Sequence, residues 1–564
     1  MTDPNFEKRW SPVDRAALPG SAVRWLRARV GPKCSGAPDP ADPPESNLPE
    51  SALPTAARTE LGGLLGTDNL RTGPADRLAH AGGMSYLDLV DRRRGEPGAV
   101  PDAVVLPAGH DVAELLRVCA RHDVAVVPFG GGTSVVGGVD ALRGGHAAVV
   151  AVDLARLDRL LAVDRESLTA TLQAGLTAAR AETLLGAHGL TLGHLPQSFE
   201  RATLGGFAAT RSAGQASTGY GRFDQMVTGL RLVAPAGELV LGRAPASAAG
   251  PDLRHLVLGS EGTFGIVTEV TVRVRPHPDR RRYEAWSLPS FRAGADAVRT
   301  LVQNGPPPDV VRLSDPTETQ MTFTLAGPNL ATVGGRFYLR ARGQTDPCLL
   351  VLGWEGTAGS VRSRRAAAAP VLRRHGAAYL GQRPGRSWRR HRFAGPRLRD
   401  ALLDVGMLVE TLETAADWSG LSGLRATVTS ALDGALDGVP GSANRPVVGC
   451  HLSHAYPTGG SLYFTVLAAR DRDDPVGQWL RARRAAGDAV MAGGGTMTHH
   501  HAVGLDHREW LAAEIGELGV EVLRAVRARL DPDGICNPGK LIPPAGPPGP
   551  TRGRPDDHPD TLAG

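Results

Sequence analysis

The stretch VPFGGGTSVVGG, residues 127–138, constrains this chain more than any other. A β-rich run, VAVVPF, leads into it. Consecutive glycines then let successive main-chain N–H groups turn toward one point, and Thr133 and Ser134 add hydroxyl donors. Such a loop makes a concave anion site suited to a diphosphate. It is not a P-loop, because no Gly-Lys-Ser/Thr follows, and its spacing is not that of a Rossmann fingerprint. A flexible glycine-rich turn is the other reading, and these residues alone leave the two level.

Alternating patterns surround the loop. Before it, VVLP is a short apolar run, and DVAELLRVCARHD has apolar residues at helical spacing with Asp111 as its N-cap. After it, AAVVAVDLA reads as a buried strand. LRLVAPAGELVL reads as a hairpin around Pro235 and Gly237, and GIVTEVTVRVRP as a half-buried strand. From Arg281 to about Leu467 strands and helices mix again with little glycine patterning, which predicts a second domain. WLAAEIGELGVEVLRAVRARL sets Leu511, Ile515, Leu518, Val522, Val526 and Leu530 on one face of an amphipathic closing helix. A Pro/Ser/Asp-rich linker is expected from Cys34 to Thr55, and a disordered tail after Ile542.

At 564 residues the chain is long enough for two or three domains. Its apolar runs are too short to span a bilayer and no signal-peptide pattern opens it, so a cytoplasmic address is expected. Five scattered cysteines carry neither zinc spacing nor a disulfide framework and read as reduced thiols. The net charge, +5, is small for this length. The Arg-rich stretches SVRSRRAAAAPVLRRHG and GRSWRRHRF read first as a solvated helix face and loop, and second as a basic surface for anionic lipid or substrate. No nucleic-acid motif accompanies them.

Three adjacent histidines, His499, His500 and His501 in THHHAVG, invite metal binding, proton handling or a merely polar loop as readings. Two further segments bear on that choice. PQSFERATLGGFAATRSAG (196–214) and GPDLRHLVLGSEGTFGIVTEV (250–270) follow the glycine loop in the order found in the vanillyl-alcohol oxidase type of FAD enzymes, which this chain resembles. The resemblance implies an α+β fold: a two-subdomain, PCMH-type FAD-binding domain (98–277) and an α+β cap or substrate domain (278–498). An N-terminal segment with linker (1–97) precedes them. A histidine loop and C-terminal helix (499–543) close on the flavin, ahead of the tail (544–564). It also implies that Pro128, Phe129, Gly130, Gly131, Gly132, Thr133 and Ser134 contact the FAD diphosphate. The rest of the flavin pocket would come from Gln197, Ser198, Thr203, Gly205, Gly206, Thr210, Arg211, Ser212 and Ala213. Glu261, Gly262, Thr263, Phe264, Gly265, Ile266 and Val267 would complete it. The loop has no histidine, so FAD is expected to be non-covalent.

Two branches of that family compete. The D-2-hydroxyacid dehydrogenases place a metal-binding histidine and carboxylate where this chain has Tyr463 and His500, and a hard-oxygen metal site loses its anchor by both changes. The alkylglycerone-phosphate synthases carry the tyrosine, the three histidines, an arginine in a strand like VVRLSD (Arg312) and one in a helix like LRDALLDVGMLVETLETAADW (Arg399). The chain resembles this branch from about Leu61 to Leu541, although LDPDGICNPGKLIP looks more like the dehydrogenases. The resemblance implies ether-lipid chemistry, in which the acyl chain of an acyl-dihydroxyacetone phosphate is exchanged for a fatty alcohol through a flavin N5 adduct. Arg399, with Arg312 second, would hold the phosphate. A homodimer and peripheral membrane contact accompany this reading. Three histidines with no carboxylate partner are better placed to move protons than to ligate a metal, so no metal is expected. Tyr463 would be the general base or acid. Its free pKa near 10 would need positive charge from protonated histidines or an arginine. Leu462 and Phe464 flank it, but alternation puts Tyr463 on the opposite face.

Overall fold

Short β-branched runs around the glycine loop form the first sheet. In this computed structural model residues 18–30, 48–325, 327, 330–438 and 445–544 are described. Strands β1 (Leu70–Arg71), β2 (Ala103–Val105), β3 (Val124–Phe129) and β4 (Ala148–Asp153) stand in the order β1-β2-β4-β3. β2, β4 and β3 are parallel. β4 is buried along its whole length and β3 along nearly all of it. That is why both read as continuous apolar runs rather than as alternation. The helix Val112–Arg121 packs Leu115, Leu116 and Cys119 into the same core. Asp111 does not cap that helix with its side chain; its carboxylate accepts from the Ala108 N–H behind it, at 2.8 Å.

The second sheet follows directly. β5 (Leu160–Asp164), β6 (Thr169–Gln173), β8 (Val227–Ala234), β9 (Gly237–Leu241) and β10 (Ile266–Arg273) pair antiparallel in the order β5-β6-β10-β8-β9. The expected hairpin is β8–β9, closed at Ala234 and Gly237. β7 (Leu190–Thr191) pairs with β11 (Arg275–Pro276) outside this sheet.

A seven-stranded antiparallel sheet makes up the second half. It is built from β12 (Arg280–Leu288), β13 (Val310–Ser314), β14 (Cys348–Gly356), β15 (Ala378–Gly381), β16 (Met407–Asp417), β17 (Val447–Ser453) and β18 (Gly459–Ala469), in the order β15-β12-β14-β13-β17-β18-β16. The helices Phe291–Gln303, Ala358–Arg374, Leu421–Leu436 and Pro475–Ala492 contribute to its apolar core. Arg312, His451, Tyr463 and Thr465 line a cavity instead. The segment expected to carry Arg399 on one helix divides: Gly395–Asp404 is helical, and Met407 begins β16.

The chain then returns to where it started. The Val126 N–H donates to the Ile535 carbonyl and the Asn537 N–H to the Val126 carbonyl, so the C-terminal segment lies along β3. The expected closing helix is broken at Gly516 (φ 77°), and the periodicity names only part of its buried face: Leu511, Val526 and Leu530 pack against the core. Ile515, Leu518 and Val522 are exposed, Leu518 at 74%, whereas Val520 is fully buried. Glycine resets the helical phase, and a single heptad count carried across it fails. Cys119, Cys348, Cys450 and Cys536 are buried free thiols, and burial pushes Cys119 and Cys348 up to about 12. No helix of the described residues is long and apolar enough to cross a membrane. Most of the expected linker, and the tail beyond Pro544, lie outside the described residues.

Candidate active site

A cavity of about 540 Å³ runs between the two halves. At one end lies the glycine loop. Its close packing explains the glycines: a Cβ on Gly131 would stand 2.1 Å from the Arg201 carbonyl oxygen, and Gly132 (φ 62°) would press on the Phe129 ring. Thr203 caps the helix Leu204–Thr210 through the Gly206 N–H and turns the chain back along the cavity.

The expected residues divide cleanly. Pro128 to Ser134, Gln197, Ser198, Thr203, Gly205, Gly206, Thr210, Ser212, Ala213, Glu261, Gly262, Gly265 and Val267 line the cavity. Arg211, Thr263, Phe264 and Ile266 do not. Arg211, left-handed at φ 50°, turns its guanidinium to the carbonyls of Leu258 and His255. The Thr263 hydroxyl binds the Ser260 carbonyl, and Phe264 and Ile266 are core residues. Glu261 has a further task. Its carboxylate accepts from the Val503 and Gly504 N–H groups and so ties the histidine loop to the glycine-loop half. Burial raises Glu261 to about 7, against those two hydrogen bonds.

At the other end stand Tyr463 and the histidines. Alternation along β18 holds: Tyr463 and Thr465 line the cavity while Leu462 and Phe464 are core. The Tyr463 ring stacks on His451, with centroids 4.9 Å apart, and meets His501 edge-on at 5.6 Å. His500 and His501 line the cavity, and His499 lies behind them.

The expectation that the histidines lack a carboxylate partner is corrected by Glu413. This buried β16 residue accepts from the Thr498 hydroxyl (2.6 Å) and from the successive N–H groups of His499 (2.7 Å), His500 (3.1 Å) and His501 (2.9 Å). Its oxygen is 3.5 Å from His500 Nδ1. Burial works against its ionisation, but the charge that the three histidines gain as pH falls, with the Thr498 hydrogen bond, holds Glu413 well below the ordinary carboxylate range. Protonated histidines beside Tyr463 are corrected as well. Burial lowers all three, His501 to about 3, so the resting imidazoles are neutral. Burial also raises the Tyr463 phenol to about 12, against a hydrogen bond with Thr411. It rests protonated.

Both arginines reach the cavity already paired. Arg399 donates to the Met84 carbonyl (2.6 Å) and to Glu410 (2.7 Å). Arg312 donates to Glu318 (2.7 Å) and to His451 Nε2 (3.0 Å). Because a guanidinium only donates, His451 Nε2 must accept, and its Nδ1–H donates to Glu318 at 2.9 Å. Arg312 and His451 hold Glu318 at about 2 although burial alone would raise it. Glu318, Glu410, Glu413, His451 and His454 therefore belong to the site without having been marked in the sequence. Glu413, His499 and His500 also bring three ligand atoms within 4.8 Å of one another, a grouping that could hold a cation. The four hydrogen bonds already accepted by Glu413 compete with that use.

Comparison with known proteins gives this geometry a lineage. The FAD binding domain family matches residues 101–242, and the C-terminal domain of FAD linked oxidases matches residues 277–541. The alkyldihydroxyacetonephosphate synthase of Dictyostelium discoideum is 33% identical over 488 residues, 84% of this chain and 79% of the relative. That of Trypanosoma brucei brucei is 32% identical, over 88% and 82%. A solved structure of an alkyldihydroxyacetonephosphate synthase superposes with a TM-score of 0.79 at 29% identity and covers 92% of each chain. The chain is an FAD-dependent enzyme that belongs to the alkyldihydroxyacetonephosphate synthase family of FAD-linked oxidases.

Proposed function

We propose that this enzyme exchanges the acyl chain of an acyl-dihydroxyacetone phosphate for a long-chain alcohol, forming the ether bond of an ether lipid. The observation that carries the proposal is the packing of protonated Tyr463 among His451, His500 and His501, in the same cavity as the glycine loop.

The residues present fit FAD. Among the described residues the main-chain N–H groups of Gly131, Gly132 and Thr133 have no protein acceptor, as a loop that receives a diphosphate requires. We assign the diphosphate to Gly130–Ser134 and the isoalloxazine side to Thr203–Gly206 and Gly262. The loop offers no histidine or cysteine for covalent attachment. Gly131→Asp adds bulk and negative charge where the diphosphate lies. The purified variant should lose its yellow colour, and full FAD stoichiometry in its absorbance spectrum would refute this use of the loop.

When bound, the flavin supplies the electrophile that a displacement at this carbon needs. The side chains supply the proton traffic. Neutral His500 takes the proton from the carbon beside the ketone and returns one to that carbon at the end of the exchange, and Glu413 steadies the imidazolium in between. Tyr463 gives its proton to the departing acyl oxygen and regains one from the incoming alcohol, so the exchange leaves it unchanged. Arg399, with Arg312, meets the phosphate with a planar fork, each exchanging part of its carboxylate pairing for the substrate. We read the chain as an FAD domain over 98–277, a cap over 278–498 and a closing segment over 499–543.

A cytoplasmic homodimer touching a membrane peripherally belongs to the same reading. Val333 and Phe337, exposed among exposed Arg336 and Arg340 on the helix Leu330–Ala341, suit an anionic lipid surface. The test is incubation with palmitoyl-dihydroxyacetone phosphate and a labelled fatty alcohol, with and without chelator. Label should enter an ether product at equal rates in both, with no net flavin reduction. Chelator-sensitive bleaching of the flavin by a D-2-hydroxyacid, with no ether formed, would establish the dehydrogenase reading instead.

A further inference from the structure

We propose that His499 and Tyr456, neither of which lines the cavity, form the route by which protons pass between the buried histidines and solvent. His500 lines the cavity, and its Nδ1 lies 3.0 Å from His499 Nδ1. His499 Nε2 lies 2.7 Å from the Tyr456 hydroxyl. Tyr456 is itself only partly buried, and exposed Pro457 and Thr458 follow it. Three titratable groups in hydrogen-bond contact thus lead from the cavity wall to a partly exposed residue, whose hydroxyl also faces Ser217, Arg222 and Asp224.

The chain is held in register at each member. The His499 N–H is fixed by Glu413 at 2.7 Å, and its carbonyl by Arg222 Nη1 at 3.2 Å. The His454 ring stacks on His499 at 5.2 Å and is anchored through its Nδ1 to the Ser217 hydroxyl at 2.6 Å. The Tyr456 carbonyl accepts from Trp418 Nε1 at 3.1 Å.

The transfer balances. A proton taken up at His500 Nε2 frees the Nδ1 proton of that ring, which moves to His499 Nδ1. His499 then releases the proton at Nε2 to the Tyr456 oxygen, and Tyr456 passes its own hydroxyl proton outward. Each ring gains one proton and loses one, and Glu413 is the fixed negative charge beside the transient imidazolium. The return path resets the rings for the next cycle. Neither His499 nor Tyr456 touches substrate; both act through His500.

The inference rests on the proposed exchange reaction, and its test separates the two. Acyl-dihydroxyacetone phosphate deuterated at the carbon that carries the acyl oxygen is turned over in ordinary water, and deuterium in the ether product is read by mass spectrometry. In the native holoenzyme the abstracted hydrogen should wash out. In Tyr456→Phe, which keeps the ring, and in His499→Gln, which keeps the reach, the trapped deuteron should return to the product, raising retention several-fold at unchanged FAD content. A packing defect slows turnover without altering this ratio. Equal wash-out in native and variant enzymes, or full retention in the native enzyme, would overturn the relay. Absence of any ether product from native enzyme would overturn the parent reading instead.

Discussion

Tyr463→Phe is expected to slow acyl exchange by about 10²–10⁴-fold, the usual cost of losing a positioned proton donor. The substitution keeps the ring and its stacking on His451, so fold and FAD content should stay native. The loss should already appear in fatty-acid release measured before any alcohol is added, because the phenol acts on the departing acyl oxygen. Burial strengthens this expectation. A phenol raised to about 12 is fully protonated at neutral pH and reaches the reaction as a donor. No depressed phenol pKa is required, and no cationic histidine has to be held beside it. Near-normal release by Tyr463→Phe in a single-turnover assay would leave proton transfer to the histidines alone and remove Tyr463 from the chemistry.

The parts of the site that were legible in the sequence are those whose demands are local. Gly131 is glycine because a carbonyl lies where its Cβ would be, and such a requirement leaves a glycine in the chain wherever the fold recurs. Tyr463 was legible because period-two alternation between core Leu462 and Phe464 fixes its direction. Glu413 was not. It sits in an ordinary strand segment, ETLETAADW, 86 residues before the first histidine N–H it holds, and nothing local distinguishes it from Glu410 three residues earlier. His451 meets Arg312 only because β13 and β17 are neighbours in a sheet with crossed strand order, whereas Glu318 reaches Arg312 from the helix that follows β13. Arg211 lies outside the cavity lining for a different reason. It lies between cavity residues Thr210 and Ser212, but a left-handed backbone sends its side chain the other way.

Glu413→Gln is expected to lower both stability and turnover. One carboxylate oxygen accepts from Thr498, His500 and His501, and the other from His499. An amide can satisfy only one of these edges. Its oxygen fits the edge with three donors, which points its NH₂ at the His499 N–H and leaves a buried donor unpaired. That alone costs about 1–3 kcal/mol, and loss of the charge beside His500 adds to it. Thermal unfolding should move down by several degrees. Turnover should fall as well, because the imidazolium formed at His500 has lost its counter-charge. Glu413→Asp keeps the charge on a shorter arm and should recover part of both.

The pH dependence of the stability difference distinguishes an ionised Glu413 from a merely well-packed one. Its folded-state pKa lies well below 4.5, so its ionisation stabilises the fold throughout the neutral range. That contribution is lost as pH falls below 4.5 toward the folded-state value. The stability gap between native enzyme and Glu413→Gln should therefore stay wide from neutral pH down to that point and narrow below it. A gap that stayed constant through that acid range in denaturant titrations would mean that Glu413 is protonated in the folded enzyme. The histidine loop would then be held by packing and neutral hydrogen bonds, and His500 would lack the fixed negative charge on which its role as proton acceptor depends.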